Sequence, residues 1–251
     1  MGFWSKVKKL AKKVWRAAKA VVRAVIRIVV IVLTAPFKIW DFVFGWVGWP
    51  PKKLKLHIAV LKNSNGTALV TDLNDLQPAI DVLKQTFKER CNVKVVSYSS
   101  GNEREIDNWA QVIDEIPPAG ALKVACGLDA LWEDGGEAGE FFNRHTAGWV
   151  SGFIPISLAF PVTVFIVQEF SSGHLGCAVP VLTDYATVDV GAIFSKGNSV
   201  LAHEVAHRCN LWHVSQKENL LSTDRLPMPP FWLQWWQRNI LRSSRHVTYL
   251  F

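Results

Sequence analysis

The sequence predicts a fold of the α/β (α+β) class: a mixed twisted sheet with helices packed on it, preceded by an amphipathic helix. Three observations lead to this prediction. Strand-like and helix-like segments alternate between residues 54 and 127. Val162 to Val167 is an uninterrupted apolar run rich in β-branched residues, as expected of a strand buried on both faces. Residues 3–34 carry basic and apolar side chains at helical spacing.

Residues 3–34 are predicted to form one basic amphipathic helix, because their charged and apolar side chains separate at about 100° per residue. The basic side is formed by Lys9, Lys12, Lys13, Arg16, Lys19, Arg23 and Arg27, and the apolar side by Leu10, Val14, Val21, Val25, Val29 and Val32. This pattern favours an anionic membrane surface as partner. The alternative is a helix that packs on the protein's own domain or on a partner helix.

The charge distribution separates this helix from the rest of the chain. Nine Lys or Arg residues precede residue 30, no acidic residue precedes Asp41, and the net charge of the whole chain is +7. The remainder is therefore close to neutral, and no nucleic-acid partner is expected. We expect peripheral or monotopic membrane association, with the side of the membrane undetermined.

The end of this segment is predicted from its prolines and aromatic residues. The longest uncharged run, Ile28 to Phe37, is shorter than the about 20 residues of a spanning helix, and the long basic region does not resemble a signal peptide. Phe37 to Trp49 is rich in tryptophan, which suits either a membrane interface or a hydrophobic plug under the domain. Pro36 should end the helix. Pro50 and Pro51 should separate a membrane-associating segment, residues 1–51, from the globular domain, residues 52–251.

The globular domain is predicted to contain alternating strands and helices. The predicted strands are Leu54 to Leu61, Val93 to Ser97, Leu122 to Cys126, Val162 to Val167 and Val188 to Ile193. The predicted helices are Leu73 to Glu89, with Asp72 or Asn74 as its cap, Glu103 to Ile116, and an amphipathic Phe231 to Ser243. Nothing in residues 54–127 indicates chemistry.

The stretch that indicates chemistry is Ser199 to His213, which contains H-E-x-x-H-x-x-N-x-x-H. On a helix, His203 and His207 lie one turn apart on one face, where their imidazoles can bind one Zn²⁺ ion. Glu204 lies beside the first ligand and can act as general base on a water that the zinc has acidified. A chance occurrence of H-E-x-x-H in a buried helix is the alternative, and the third histidine argues against it.

His213 can complete the set only if the chain leaves the helix after His207 and turns back. A turn of this kind needs a residue in the left-handed region, where glycine is favoured and asparagine is the next most tolerant residue. Asn210 occupies that position. The sequence therefore predicts a zinc site formed by His203, His207 and His213, with a turn at Asn210.

This run resembles the signature of the metzincin zinc metalloproteases, H-E-x-x-H-x-x-G-x-x-H, with Asn210 in place of glycine. Asn219-Leu220-Leu221-Ser222 resembles the family's Met-turn, with Leu221 in place of methionine. The resemblance implies a metzincin-like zincin domain and zinc-dependent hydrolysis of peptide bonds in a protein or peptide substrate, with Glu204 as catalytic residue.

The resemblance also implies an antiparallel edge strand that binds the substrate backbone. Gly176, Cys177, Ala178 and Val179 are the candidates for it, and His174 either lines the cleft or belongs to an ordinary loop. A different class of function stays open: a membrane-binding structural or assembly component whose zinc site is not catalytic.

The cysteines leave the redox compartment undecided. Cys91, Cys126, Cys177 and Cys209 are widely spaced and fit neither a small disulfide scaffold nor a second zinc site. Cys91 is expected to be a packed thiol, and Cys209 is expected to point away from the ligand face of its helix.

Overall fold

The computed structural model confirms a mixed α/β fold. It describes residues 3–45, 48–99, 101–126, 136–147, 161–171, 173–178, 183–195, 199–222 and 231–248. The helices in these ranges are α1 (Phe3–Gly45), α2 (Gln77–Cys91), α3 (Ala119–Leu122), α4 (Glu137–His145), α5 (Val190–Ser195), α6 (Ser199–Arg208) and α7 (Trp235–Arg242). The strands are β1 (Lys52–Val60), β2 (Val93–Ser97), β3 (Ala110–Val112), β4 (Lys123–Val124), β5 (Val162–Val167), β6 (Glu169–Phe170), β7 (Gly176–Cys177), β8 (Tyr185–Asp189) and β9 (Val247–Thr248).

The main sheet is mixed and has the order β2-β1-β5-β8-β7. Neighbouring strands are parallel from β2 to β8, and β7 pairs antiparallel with β8 at the edge. Strand β3 adds a parallel partner to β1, and β9 adds an antiparallel one. Strand β5 lies at the centre of this order and all its side chains are buried, as its apolar run predicts.

The core lies between the sheet and the helices α2 and α6. All ten residues of α6 are buried, and α6 contacts α2 together with β5, β7 and β8. The predicted helix after Leu73 is confirmed, although its first turn, Leu73–Leu76, is a 3-10 helix whose cap Asp72 accepts a hydrogen bond from the backbone of Asn74. This packing places the histidine-bearing helix directly beside the edge of the sheet.

Two predicted elements are wrong. The segment from Glu103 to Ile116 is not a helix: it contains a 3-10 turn, Ile106–Asn108, and then β3. Trp109 decides this, because its fully buried indole donates to the carbonyl of Glu103 at 2.9 Å while its own carbonyl accepts from Ile58 of β1. Pairing with β1 therefore overrides the local helical spacing.

The predicted strand from Val188 to Ile193 is also displaced. Strand β8 ends at Asp189, and α5 follows because the Asp189 carboxylate accepts a hydrogen bond from the Ala192 backbone at 3.0 Å. The predicted strand from Leu122 to Cys126 is confirmed only as β4, which pairs with β6 in a separate two-stranded sheet. The C-terminal helix is confirmed as the shorter α7.

Helix α1 is longer than predicted, because it continues through Pro36 to Gly45. A proline inside a helix costs about 3 kcal/mol. Contacts after the proline compensate for this cost: α1 packs against α7, and Lys38 Nζ donates to the carbonyl of Ser244 at 3.0 Å. Two tryptophans of the Phe37 to Trp49 stretch, Trp40 and Trp46, have side chains that lie outside the described part of the structure.

The first half of α1 contacts the globular domain through its charges and leaves apolar side chains exposed. Arg16 Nε donates to Glu140 of α4 at 2.8 Å, and Lys19 Nζ lies 3.6 Å from the same carboxylate. The exposed apolar side chains are Val7, Leu10, Val14, Trp15, Val21, Val22, Val25, Ile28, Val29 and Val32. Among the described residues, every helix is too short or too polar to cross a bilayer.

We expect Arg242→Ala to reduce the free energy of unfolding by about 3 kcal/mol. Its buried guanidinium donates to the carbonyl oxygens of Cys91 and Pro50, each at 2.7 Å, and their loss leaves buried acceptors without donors. Arg238→Ala, on an exposed face of the same helix, should change stability by less than about 0.5 kcal/mol. Urea unfolding of both variants measures the difference, and equal losses would contradict this role for Arg242.

Candidate metal centre

Helix α6 presents two imidazoles to one point. His203 and His207 are one turn apart and both buried, and their Nε2 atoms lie 3.0 Å from each other. The apolar residues of the helix pack into the core, which fixes the helix and so orients both imidazoles in one direction. The spacing in the sequence therefore predicts this half of the site correctly.

The third imidazole arrives through a left-handed turn, as predicted. Asn210 has a φ of 68°, and the following residue, Leu211, returns its backbone N–H to the carbonyl of Ala206 at 3.2 Å. His213 then places its Nε2 3.1 Å from that of His203 and 3.0 Å from that of His207. These three histidines form the cluster suited to a metal ion among the described residues.

The protonation of two imidazoles follows from their hydrogen bonds. His203 Nδ1 lies 2.7 Å from the carbonyl oxygen of Leu220, and His207 Nδ1 lies 2.7 Å from that of Leu211. A carbonyl oxygen only accepts, so each Nδ1 carries a proton and donates it. Burial lowers the pKa of His203 to about 4 and that of His207 to about 3, so both rings are neutral near pH 7.

The geometry therefore fits a bound cation. In a neutral imidazole with a protonated Nδ1, the Nε2 atom carries a lone pair. The Nε2 atoms of His203 and His207 lie 3.0 Å apart, and the Nε2 of His213 lies 3.0 Å from that of His207. Facing lone pairs repel each other unless a positive ion lies between them. Three imidazole nitrogens suit a divalent ion of borderline softness such as zinc, with a fourth position left for water or substrate.

Glu204 lies next to the first histidine and is fully buried. Its Oε2 has no hydrogen-bond partner in the described part of the chain, and burial raises the pKa of the carboxyl group to about 8. A buried carboxyl group without a partner is costly for stability, which is typical of a residue retained for chemistry. Glu204 is thus a buried carboxyl group adjacent in sequence to the first histidine, and it is not a member of the histidine cluster.

The edge strand predicted near residues 176–179 is present. Strand β7 comprises Gly176 and Cys177, runs antiparallel to β8 and terminates the order of the sheet. Ala178 follows it and is half-buried, and Val179 lies outside the described residues. A side chain at Gly176 would place its Cβ 2.5 Å from the Glu204 carboxylate, so this position requires glycine.

The turn Asn219-Leu220-Leu221-Ser222, which resembles a Met-turn, contacts the histidine cluster through His203. Leu221 is fully buried, its backbone N–H donates to the Asn219 side chain at 2.9 Å, and its carbonyl accepts from Val214 at 2.9 Å. The neighbouring carbonyl of Leu220 holds His203, as described above. This supporting role of Leu220 and Leu211 was not predicted, because backbone acceptors leave no signal in the sequence.

The remaining histidines and cysteines are placed as follows. His174 is exposed, and its charge adds to burial in lowering the pKa of His213, whereas His145 contacts Glu115 at 3.1 Å. Cys91 and Cys209 are buried free thiols, as predicted for Cys91. Cys126 and Cys177 form a disulfide that was not predicted, since spacing alone does not specify which cysteines pair.

Comparisons with known proteins give weak similarities. No family model matches the chain, and no curated protein matches it. Metalloproteinase-II from Bacteroides fragilis has a TM-score of 0.46 at 16% identity over 76% of this chain, and this chain spans 53% of it. Archaemetzincin from Methanopyrus kandleri has a TM-score of 0.40 at 11% identity over 75% of this chain and 95% of its own. At these values the function has to be argued from the site itself.

We expect the affinity of a Glu204→Gln variant for Zn²⁺ to stay constant between about pH 8 and about pH 6. Burial lowers the pKa of His203 to about 4 and that of His207 to about 3, and it also lowers the pKa of His213, so protons compete only weakly with the metal in this range. In the wild type, a bound cation favours charged Glu204, so affinity should rise as the pH approaches about 8. Competition with a chromophoric chelator measures both profiles.

A fall in the affinity of the Glu204→Gln variant centred near pH 6.5, the usual pKa of histidine, would contradict the assigned protonation states. Identical profiles for the two proteins would show that Glu204 does not respond to the metal.

Proposed function

We propose that the chain is a zinc-dependent endopeptidase of the metzincin type that is tethered to an anionic membrane surface. One observation carries the enzymatic part of this proposal. Three imidazole Nε2 atoms converge within 3.1 Å of one another, and the carboxyl group of Glu204, buried and without a partner for its Oε2, lies next to the first of them in the chain. A purely structural metal site has no use for such a carboxylate.

His203, His207 and His213 would bind the zinc ion. Bound there, zinc would act as a Lewis acid that acidifies a water molecule and polarises a substrate carbonyl group. The chain supplies the orientation: the carbonyl groups of Leu220 and Leu211 fix two of the three rings. Hydrogen bonds of this kind also raise the basicity of the ligating nitrogens.

Glu204 would act as general base and then as general acid. Its carboxylate accepts a proton from the attacking water and later donates it to the amine that leaves when the peptide bond breaks. A pKa of about 8 favours the second step, and a nearby cation lowers the pKa enough for the first. The burial of Glu204 therefore supports its role as general acid, and the bound cation would support its role as general base.

Strand β7 would bind the substrate in an extended conformation. It is the terminal strand of the described sheet, and it contacts Glu204 through Gly176. A peptide that adds to this edge by backbone hydrogen bonds is brought alongside the catalytic carboxylate. The proposed substrate is accordingly a protein or peptide, recognised at least in part through its backbone.

The metzincin assignment rests on features of this chain. The left-handed Asn210 brings the third histidine back to the first two, as glycine does in the family signature. The turn at Leu221 is buried and is linked to His203 through the carbonyl of the neighbouring Leu220. Both features support the resemblance that the motif indicates.

Helix α1 would provide the membrane tether. Lys6, Lys8, Lys9, Lys12 and Lys13 are exposed, together with the apolar side chains of the same helix, although Arg16 and Lys19 pair with Glu140. Exposed valines beside lysines match the headgroup region of an anionic bilayer, where both kinds of side chain find a partner. We therefore propose a peripheral location.

We expect Glu204→Gln to retain zinc and to lose at least about 100-fold in the rate of peptide cleavage, because the substitution keeps the shape of the side chain and removes the general base. Glu89→Gln, at an exposed position of α2, should retain full activity. Cleavage of a peptide library measured alongside zinc content checks this. An unchanged rate in Glu204→Gln would refute the mechanism, and the absence of cleavage by the wild type would favour a structural zinc site.

We expect deletion of residues 1–34 to abolish binding to vesicles that contain phosphatidylglycerol, because it removes nine basic residues and the exposed apolar face. The full-length protein should bind these vesicles at low salt and should bind pure phosphatidylcholine vesicles weakly. Co-sedimentation measures both, and unchanged zinc content controls for the folding of the deleted form. Undiminished sedimentation after the deletion would show that the tether lies elsewhere.

A further inference from the structure

The disulfide between Cys126 and Cys177 has no part in the hydrolysis proposed above, yet it ends on the strand that would hold the substrate. We propose that this disulfide is a redox-sensitive positioning clamp: it holds β7 against Glu204, and its reduction releases the strand while the metal centre stays intact. The predicted effect on peptide cleavage rests on the proposed function. The predicted release of β7 on reduction can be tested even if that function is wrong.

Strand β7 is held weakly by its own backbone. It consists of two residues and, among the described residues, pairs with β8 alone, through Gly176 opposite Val188 and Cys177 opposite Thr187. Just before it, the carbonyl of Leu175 accepts one further hydrogen bond from the Asp189 backbone at 2.9 Å. The side chain of Thr187 adds a long hydrogen bond to the carbonyl of Cys177 at 3.3 Å. An edge strand of this length opens easily unless something else holds it.

The other end of the disulfide is well anchored. Cys126 follows β4, which pairs in parallel with β6, and β6 begins two residues after the central strand β5 ends. Two further backbone hydrogen bonds hold β4 and β6 together: the N–H of Gln168 donates to the carbonyl of Leu122 at 3.1 Å, and the N–H of Ser171 donates to that of Val124 at 3.0 Å. The disulfide therefore connects the two-residue edge strand β7 to a segment that pairs with the chain just after the fully buried strand β5.

The position of the strand matters because of Gly176. Its α-carbon approaches the Glu204 carboxylate so closely that a Cβ would lie 2.5 Å from it. A shift of β7 would therefore expose Glu204 to water and move the substrate edge away from the histidines. His203 and His207 are held by α6 and by the carbonyls of Leu220 and Leu211, and none of these hydrogen bonds involves β7. His213 follows the turn at Asn210, which is also outside β7.

The redox step is simple thiol–disulfide exchange with an external dithiol. The S–S bond breaks, each sulfur gains one electron and one proton, and the dithiol becomes a disulfide. Cys126 is half-buried, so a reductant can approach it. The other two cysteines would not respond, because Cys91 and Cys209 are already free, buried thiols with no S–S bond to break.

The test compares the oxidised full-length protein, the same protein reduced with a phosphine, and a Cys126→Ser/Cys177→Ser variant. A phosphine replaces the usual thiol reductants because thiols bind zinc. The rate of amide hydrogen exchange should rise at least about tenfold at positions 176 and 177 in both altered forms. The exchange rates of the α6 amides and the zinc content should stay unchanged. The control variant Cys91→Ser should leave the exchange rate in β7 unchanged. If this buried substitution does not fold, counting the thiols of the wild type before and after reduction should show that one disulfide is reduced.

Peptide cleavage gives a second readout. Opening the clamp should raise KM more than it lowers kcat, because the substrate edge is displaced while the metal ligands stay in place. Unchanged exchange in β7, or a rise spread over the whole sheet with loss of zinc, would overturn the clamp. If the oxidised protein cleaves no peptide at all, the proposed function fails, and the exchange data still decide the clamp.

Discussion

The hydrogen bond from His203 Nδ1 to the carbonyl of Leu220 is the interaction on which the metal centre depends. Together with the equivalent bond from His207 to Leu211, it fixes the proton on the outer nitrogen of each ring. The Nε2 atoms of the two rings are then both unprotonated, so neither can donate a hydrogen bond to the other. Burial lowers the pKa of both histidines, so the rings do not take up a second proton near neutral pH. A cation is the physical solution to this arrangement, so two backbone acceptors convert a histidine cluster into a metal site.

The sheet places the rest of the chemistry by close packing. Helix α6 lies between α2 and the β8–β7 edge, so Glu204 has no path to solvent on the sheet side. Gly176 completes this enclosure because it lacks the Cβ that would occupy the position of the carboxylate. The same contact explains why a two-residue strand and its disulfide matter for a group on another element: the environment of Glu204 is formed partly by β7.

Helix α1 is docked on the domain and still leaves many apolar side chains exposed. Its charges are divided between two uses: Arg16 and Lys19 bind Glu140, while the lysines before them are exposed. The contact of its second half with α7 fixes it to the domain. Under the proposed function, this exposed apolar face would bind the membrane surface.

The sequence by itself determined the histidine cluster, the turn at Asn210, the central strand Val162–Val167 and the basic helix, because each depends on side chains at a fixed local spacing. Only the tertiary structure decided what depends on distant partners. Trp109 packs into the core and converts a predicted helix into a strand beside β1, and α1 continues past Pro36 because α7 holds it. The pairing of Cys126 with Cys177, 51 residues apart, and the contact of Gly176 with Glu204 exist only once the sheet has assembled. Local periodicity carries no information about such contacts, since their free energy comes from burial and pairing between segments far apart in the chain.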